Sequence, residues 1–202
     1  MIAIVDYGAG NLRSVRNALV HLGAKVVTVD QPEQLQHAEK IVLPGVGAFG
    51  AGMKALRERG FVEPIIEAAN NGVPLIGICL GMQYLFETSE EMGRHEGLGL
   101  LKGQVVKFPD STPLIPHIGW NQLYLRQEHS LLNGVQDESY AYFVHSYYVE
   151  PADSEDILAT TDYGLEYASV VGRGNVFGIQ CHPEKSQSVG LQILKNFLED
   201  ID

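Results

Sequence analysis

A cysteine between two glycines is the first feature of this sequence that points to chemistry. Cys79 lies in the pattern Gly-x-Cys-x-Gly with Gly77 and Gly81, between an apolar run that predicts a strand and a segment that predicts a helix from Leu80 through Phe86. A residue on such a sharp turn is held in a strained conformation that exposes its side chain at the carboxyl end of the strand, and the helix N-terminus favours the thiolate. The pattern therefore predicts a nucleophilic thiol, with an ordinary buried cysteine as the alternative.

A nucleophilic thiol needs a base, and His182 is the histidine with a suitable neighbour. It ends an apolar strand, and Glu184 follows two positions later. If the backbone stays extended through Pro183, the two side chains point to the same side, so that the carboxylate accepts a hydrogen bond from one ring nitrogen while the other faces Cys79. Pro183 also biases His182 towards an extended conformation. The alternative is a strand-end histidine beside a solvated Glu-Lys pair.

Cys79 and His182 are distant in the chain, so the fold must bring two strand ends together. Short apolar segments alternate with helical patterns over roughly the first half of the chain, which predicts parallel βαβ units. Such a sheet gathers its binding sites outside the carboxyl ends of its strands. Beyond residue 100, shorter runs rich in Val, Tyr and Phe predict antiparallel strands added to this α/β sheet. The predicted strands are 2–5, 25–29, 40–43 and 73–78, and the predicted helices are 11–22, a segment with Ile65, Ile66 and Ala69 that ends near Gly72, and 188–199.

Composition and charge narrow the class of protein. The chain has 202 residues and is 45% hydrophobic without an abrupt shift in composition, which predicts one domain over residues 1–202. The formal net charge of -11 argues against nucleic acid as a partner, since binding phosphates needs clustered Lys and Arg. No apolar stretch reaches the ~20 residues of a membrane span and no secretory signal is visible, so we expect a soluble, cytoplasmic protein without a membrane partner. Two cysteines without zinc-ligand spacing leave packing or catalysis as their uses.

The segments around Cys79 and His182 together resemble the class I glutamine amidotransferases, whose Cys, His and Glu triad lies in these contexts. The resemblance implies that Cys79 is the nucleophile, that His182 acts as base and then as acid, and that Glu184 orients the imidazole. It implies hydrolysis of glutamine to glutamate and ammonia through a γ-glutamyl thioester, on a flavodoxin-like fold with no metal or cofactor. Cys181 departs from the family pattern, which commonly has Phe before this histidine.

The same resemblance assigns roles to residues around the thiol. It places the oxyanion hole at Val46 and Gly47 and at the N–H group of Leu80. Gln83 lies one helical turn after Cys79, so it can face the same pocket and bind the α-amino or carboxylate end of glutamine. The other implied contacts to glutamine come from His145, Ser146 and Tyr147.

Four stretches, 6–12, 43–49, 116–121 and 142–148, resemble those family members that serve as glutaminase subunits in histidine biosynthesis. In that group ammonia passes through an internal tunnel to a (β/α)8 cyclase subunit, with which the glutaminase forms a heterodimer. The resemblance implies the same partner here, with Asn11, Trp120 and Asn121 as candidate contact residues, although a single tryptophan is as often a core residue. The Gly-Val-Gly turn at 45–47 lets a peptide plane rotate at low steric cost, so we expect the isolated chain to hydrolyse glutamine poorly until the cyclase and its ligand bind.

Other interpretations fit part of the pattern. An α/β-hydrolase with cysteine at its elbow would place its acid before the histidine, whereas Glu184 follows His182. A non-enzymatic binding or stress protein of the same fold would not need both of these residues. A glutaminase subunit of the anthranilate, pyridoxal phosphate or purine pathways would carry the same triad. The glycine pair around Ala9 is too short a pattern to indicate dinucleotide binding.

Overall fold

The computed structural model describes residues 1–201, which form a 13-stranded mixed sheet and five α-helices. The strands are β1 (Ile2–Val5), β2 (Val26–Val29), β3 (Lys40–Gly45), β4 (Leu75–Cys79), β5 (Phe86–Ser89), β6 (His95–Glu96), β7 (Leu101–Lys107), β8 (His117–Leu125), β9 (Ser139–His145), β10 (Tyr147–Pro151), β11 (Ile157–Asp162), β12 (Glu166–Arg173) and β13 (Val176–Ile179). The helices are α1 (Leu12–His21), α2 (Phe49–Glu58), α3 (Val62–Asn70), α4 (Leu80–Tyr84) and α5 (Gln187–Glu199).

The order of the strands explains how two distant segments meet. The sheet runs β2-β1-β3-β4-β13-β12-β10-β7-β5-β6, and the pairs from β2 to β13 are all parallel. From β13 to β7 the pairs are antiparallel, and β8, β9 and β11 form a branch that joins the sheet through β12. Because β4 and β13 are parallel neighbours, their carboxyl ends lie side by side, with Ile78 opposite Ile179. Cys79 and His182 therefore leave the sheet at the same edge.

Helices cover both faces of the parallel half of the sheet. Apolar residues of α1 and α5 pack on one face, and those of α2, α3 and α4 pack on the other. Strand β4 lies between the two layers and is buried at all five positions. Burial on both faces explains why the segment 75–79 is continuously apolar instead of alternating between apolar and polar residues.

The predicted fold class is confirmed, and two local predictions about helices need correction. The helix predicted from Leu80 through Phe86 ends at Tyr84, and Phe86 begins β5. The chain leaves the helix because Phe86 pairs with Leu101 of β7, a partner that lies outside the helical pattern. The sequence interpretation also missed α2. The predicted strand 40–43 extends two residues further, through Pro44 to Gly45.

Within residues 1–201 no helix is long and apolar enough to span a bilayer.

Candidate active site

Cys79 occupies a strained turn between β4 and α4. Its φ of 55° and ψ of -111° lie outside the regions that residues with a side chain prefer, and strain of this kind costs about 1–3 kcal/mol. Its sulfur contacts the carbonyl oxygen of Val144 at 3.9 Å and accepts a hydrogen bond from Gln180 Nε2 at 3.8 Å. The predicted sharp turn is therefore confirmed, but the side chain that it was expected to expose is buried, since Cys79 is only 6% exposed.

The two glycines that flank Cys79 are required by the close approach of backbone segments. A Cβ atom on Gly81 would lie 1.8 Å from the carbonyl oxygen of Leu43 in β3, and a Cβ atom on Gly77 would lie 2.4 Å from the carbonyl oxygen of Gly81. Neither position has room for a side chain. The glycines thus let α4 begin directly above the ends of β3 and β4, which brings Cys79 to the edge of the sheet.

His182 and Glu184 form the predicted pair, by a different backbone geometry. His182 is extended, with φ of -93° and ψ of 97°, as expected for a residue before proline. The chain does not stay extended through Pro183 as predicted: Pro183–Lys185 form a turn of 3-10 helix. Proline fits the first position of such a turn because its φ is already suitable and it needs no N–H partner. The turn brings Oε1 of Glu184 to 2.9 Å from Nδ1 of His182.

The pKa values of this pair favour the charged forms. Burial lowers the pKa of His182, but the neighbouring Cys79 and Glu184 raise it by more, to about 10. Burial raises the pKa of Glu184, and the hydrogen bond and charge of His182 outweigh it, so that the net shift is downwards. Within the described chain, Nε2 of His182 is buried without a hydrogen-bond partner. This nitrogen is therefore available for proton exchange with the thiol or with a bound molecule.

Asn11 is a second hydrogen-bond partner of the Glu184 carboxylate. Its Nδ2 donates to Oε1 of Glu184 at 2.9 Å, so that one carboxylate oxygen accepts from both Asn11 and His182. Sequence reasoning assigned Asn11 to a partner interface alone. The structure adds a contact between Asn11 and Glu184, the carboxylate that pairs with His182. A signal for this contact is absent from the sequence, because 173 positions separate Asn11 from Glu184.

A cavity of about 290 Å³ opens onto the thiol. Cys79 and His182 line it, while Glu184 lies behind His182. The structure brings together in this lining every residue predicted for the oxyanion hole and for glutamine contacts, namely Val46, Gly47, Leu80, Gln83, His145, Ser146 and Tyr147.

Three further residues of the site were missed by the sequence analysis. Glu91 lines the cavity, and its Oε2 accepts a hydrogen bond from the backbone N–H of Phe49 at 2.7 Å. Pro116 and Val144 also line the cavity. Glu91 is the one carboxylate in the lining among the described residues, but it lies in an acidic stretch of sequence that reads as an ordinary solvated surface.

Gln83 and His145 are largely committed to contacts within the protein. Nε2 of Gln83 donates to the carbonyl oxygen of Tyr147 at 3.0 Å and to Oε1 of Gln180 at 3.1 Å. Nδ1 of His145 contacts the same carbonyl oxygen at 2.8 Å. Burial lowers the pKa of His145 to about 3, so this histidine is neutral at pH 7 and cannot replace His182 as an imidazolium.

A second cavity, of about 480 Å³, adjoins the first on the other side of His182. Val46, Val144 and His182 line both cavities. Asn11 and Lys185 line only the second one.

The remaining candidate contact residues lie on β8. Trp120 is 46% exposed and packs edge-on against Tyr142, so it is not a core residue. Asn121 is partly buried, and its Nδ2 donates to the carbonyl oxygen of Asp162 at 2.8 Å. Their role in an interface stays a prediction.

The second cysteine is a core residue. Cys181 is fully buried, and burial raises the pKa of its thiol to about 12. It therefore fills space beneath His182 as a small apolar residue. Among residues 1–201, no group of three or more His, Cys, Asp or Glu side chains is placed to hold a metal ion.

Comparison with known proteins gives consistent results. The family model for glutamine amidotransferase class-I matches residues 3–201. The chain is 52% identical over 197 residues to the imidazole glycerol phosphate synthase subunit HisH of Desulfitobacterium hafniense (strain Y51), with 98% of this chain and 93% of that protein covered. It is 52% identical over 201 residues to the protein of the same name from Sulfurimonas denitrificans, with 98% and 97% covered.

Solved structures share the fold at lower sequence identity. PurLQS from Thermotoga maritima matches with a TM-score of 0.80 and 22% identity, covering 100% of this chain and 98% of that chain. A crystal structure of a glutamine amidotransferase matches with a TM-score of 0.78 and 21% identity, covering 98% of each chain. At these identities the likeness concerns the architecture alone.

Proposed function

Because the chain belongs to the class-I glutamine amidotransferase family, we propose that it is the glutaminase subunit of imidazole glycerol phosphate synthase. In this proposal it hydrolyses glutamine in the cytoplasm and passes ammonia to a (β/α)8 cyclase subunit, which forms imidazole glycerol phosphate and AICAR in histidine biosynthesis. The convergence of Cys79, His182 and Glu184 at one cavity supports the chemistry. Identity of 52% over nearly the whole chain favours this synthase over those of other pathways.

The reaction begins with attack of the Cys79 sulfur on the carboxamide carbon of glutamine. Nε2 of His182 takes up the thiol proton as the C–S bond forms and the carbonyl electrons move to oxygen. It then donates this proton to the leaving nitrogen as the C–N bond breaks. Ammonia departs and a γ-glutamyl thioester remains on Cys79. His182 next accepts a proton from water, whose oxygen attacks the thioester carbon and releases glutamate and the thiol. Glu184 stays ionised and stabilises the imidazolium in both steps.

Backbone groups at two places are suited to stabilise the oxyanion. Leu80 is the first residue of α4, where an N–H group has no partner within the helix. Val46 and Gly47 also line the cavity, and Gly47 has a φ of 96° with open space around it. A donor in such a position typically contributes about 3 kcal/mol of transition-state stabilisation.

The amino acid end of glutamine needs partners of opposite charge. Glu91 offers a carboxylate oxygen to the α-ammonium group, since its other oxygen is already bound to Phe49 N–H. Gln83 supports the same end, because its amide nitrogen is engaged and its carbonyl oxygen is left to accept a hydrogen bond from the α-ammonium group. The backbone of Ser146 and Tyr147 completes the wall of the pocket, as the family resemblance implies.

The second cavity supports transfer of ammonia to another chain. It adjoins His182, which delivers the proton to the leaving group, and it is lined by Asn11. We place the cyclase against this side of the molecule, with Asn11, Trp120 and Asn121 in the contact, as a heterodimer.

The partner is also proposed to activate the site. Val46 is 41% exposed and the glycine after it lies in the left-handed region, so the 46–47 peptide can change orientation when a partner covers it. The isolated chain would then lack a productive oxyanion donor and hydrolyse glutamine slowly.

The test is ammonia release from glutamine, measured for the chain alone and for the chain with the cyclase subunit and its nucleotide ligand. We expect strong activation by the cyclase and loss of activity in Cys79→Ala. Full activity without the partner would contradict the activation mechanism. No activity in any mixture would contradict the assignment to this synthase.

A further inference from the structure

A buried row of polar side chains joins β8 to the wall of the cavity. Nε2 of His117 lies 3.4 Å from Nδ2 of Asn121, and Nδ1 of His117 lies 3.3 Å from both the hydroxyl of Tyr167 and Nε2 of His145. This hydroxyl lies 3.1 Å from Nε2 of His145, whose Nδ1 contacts the carbonyl oxygen of Tyr147 at 2.8 Å. None of these four side chains takes part in the chemistry described above, yet their row ends on a residue that lines the site.

The direction of the row is set at both ends by backbone groups. The carbonyl oxygen of Tyr147 can only accept, so Nδ1 of His145 must carry a proton and donate it. At the other end, Nδ2 of Asn121 donates to the carbonyl oxygen of Asp162, and Oδ1 of Asn121 accepts from the backbone N–H of Gln122 at 2.8 Å. These two contacts determine which end of the Asn121 amide is nitrogen. Asn121 therefore donates to His117, not the reverse.

The protonation of the interior members follows from the two ends. Burial lowers the pKa of His117 to about 4 and that of His145 to about 3, so both rings are neutral at pH 7 and carry one proton each. Because Nε2 of His117 accepts from Asn121, its proton is on Nδ1, which donates towards Tyr167. Because Nδ1 of His145 carries that ring's proton, Nε2 of His145 is an acceptor. Two donors reach it, the Tyr167 hydroxyl at 3.1 Å and Nδ1 of His117 at 3.3 Å, and the nearer one is the hydroxyl. Burial also raises the pKa of Tyr167, which keeps this hydroxyl protonated.

We propose that Asn121, His117, Tyr167 and His145 form a one-directional chain of hydrogen bonds that positions the Tyr147 carbonyl group and, through it, the glutamine pocket. All donors point the same way, from β8 towards the cavity. The Tyr147 carbonyl also accepts from Gln83, and the preceding carbonyl, of Ser146, accepts from the N–H of Phe108 at 3.1 Å. The peptide groups of this wall are thus oriented by donors behind them.

The four side chains are positioning residues, and their role in glutamine binding rests on the proposed function. The chain of hydrogen bonds does not depend on the proposed function, because it predicts which ring nitrogens carry protons. Both His117 and His145 carry their proton on Nδ1. Long-range proton–nitrogen NMR correlations of the imidazole rings in the purified protein measure this directly, with no substrate or partner.

Asn121→Asp provides a sharp change for the same measurement. A carboxylate at this position cannot donate, so Nε2 of His117 is expected to gain a proton. In the wild-type protein we expect protonation at Nδ1 of both rings. In the variant we expect a proton on Nε2 of His117. Protonation of either ring at Nε2 in the wild-type protein would overturn the chain.

Tyr167→Phe tests the consequence for the pocket. It removes one hydroxyl, and Tyr163→Phe is the matched control, because Tyr163 stacks on His117 with ring centroids 3.8 Å apart but its hydroxyl is not in the chain. In the complex with the cyclase and its nucleotide ligand, we expect Tyr167→Phe to raise the KM for glutamine about fivefold with kcat changed less than about twofold, since one buried hydrogen bond is lost. Tyr163→Phe is expected to match wild type in both constants.

The outcomes separate the inference from the function on which it rests. If the wild-type complex releases no ammonia, the proposed function fails, while the tautomer result still decides the chain. If the wild-type complex is active and Tyr167→Phe has the wild-type KM, the positioning role is overturned. If both tyrosine variants lower kcat and raise KM to the same extent, the two residues have a general packing role, and the positioning role of Tyr167 is overturned.

Discussion

Glu184→Gln examines the triad with little change in volume. Oε1 of Glu184 accepts from both His182 and Asn11, while Oε2 is buried with no hydrogen-bond partner in the described chain. A Gln oxygen at Oε1 would leave its NH2 group buried without a partner, and the flipped amide would face two donors. In either orientation the imidazolium of His182 also loses its negatively charged partner. We therefore expect the variant to fold, and to support His182 poorly.

The magnitude follows from the hydrogen bond that loses its charge. Hydrogen bonds to charged groups contribute about 1.5–3 kcal/mol, against about 1 kcal/mol for neutral ones. For a buried pair with an imidazolium we take the upper end of this difference, about 2 kcal/mol on the transition state, which corresponds to a decrease in kcat of roughly 30-fold. This effect is expected in ammonia release by the complex at saturating glutamine, where differences in substrate binding do not contribute.

The pH dependence gives a second reading of the same variant. Against the lowering by burial, Cys79 and then Glu184 raise the pKa of His182 to about 10. The pairing with Glu184 is therefore one part of a stabilisation of the folded state that is fully present below the unfolded value near 6.5. This contribution disappears as the pH rises through about 10. Glu184→Gln should therefore lower the free energy of unfolding more at pH 6 than at pH 10, as measured by urea denaturation. Alkylation of Cys79 by iodoacetamide at pH 7 should also slow, because an imidazolium that loses its partner stabilises the thiolate less.

Glu63→Gln is the matched control, since it makes the same chemical change on an exposed position of α3. It should match wild type in all three measurements. If Glu184→Gln keeps kcat within about threefold of wild type and has the same alkylation rate, the carboxylate does not support the imidazole and the assignment of its role is refuted.

Two further variants test the pocket and the elbow. Glu91→Gln keeps an acceptor for Phe49 N–H but loses the charge that is proposed to face the α-ammonium group, so the KM for glutamine should rise by about tenfold or more with kcat nearly unchanged. An unchanged KM would contradict the proposed contact with glutamine. Gly81→Ala places a Cβ atom against Leu43 O at 1.8 Å, so thermal unfolding should show a loss of about 3 kcal/mol or more. Gly72→Ala, in open space at a φ of 87°, should lose only about 1–2 kcal/mol, and equal losses would argue against a steric cause.

Local patterns predicted the elements whose neighbours in sequence determine them. Strand β1 and helices α1 and α5 have clear periodicity, and the structure places them close to the predicted bounds. Helix α2 was missed because glycines at 50 and 52 weaken its pattern. These glycines are explained only by tertiary contacts: a Cβ atom on Gly52 would lie 1.6 Å from the Tyr84 hydroxyl, and one on Gly50 would lie 2.6 Å from the His95 ring. Close packing of α2 on other segments thus stabilises a helix whose intrinsic propensity is weakened by two glycines.

The same distinction separates the reacting groups from the groups that orient them. The proposed thioester chemistry demands a thiol and an imidazole, and a sharp turn and a strand end leave local patterns around Cys79 and His182. The orienting contacts demand only a donor or acceptor at the right distance, which many residue types and positions satisfy. Asn11 reaches Glu184 across 173 positions and Gln180 reaches Cys79 across 101, so neither contact follows from spacing. The 3-10 turn at Pro183 shows the same limit at short range, because an extended chain and a tight turn both bring positions i and i+2 together, and only the structure distinguishes them.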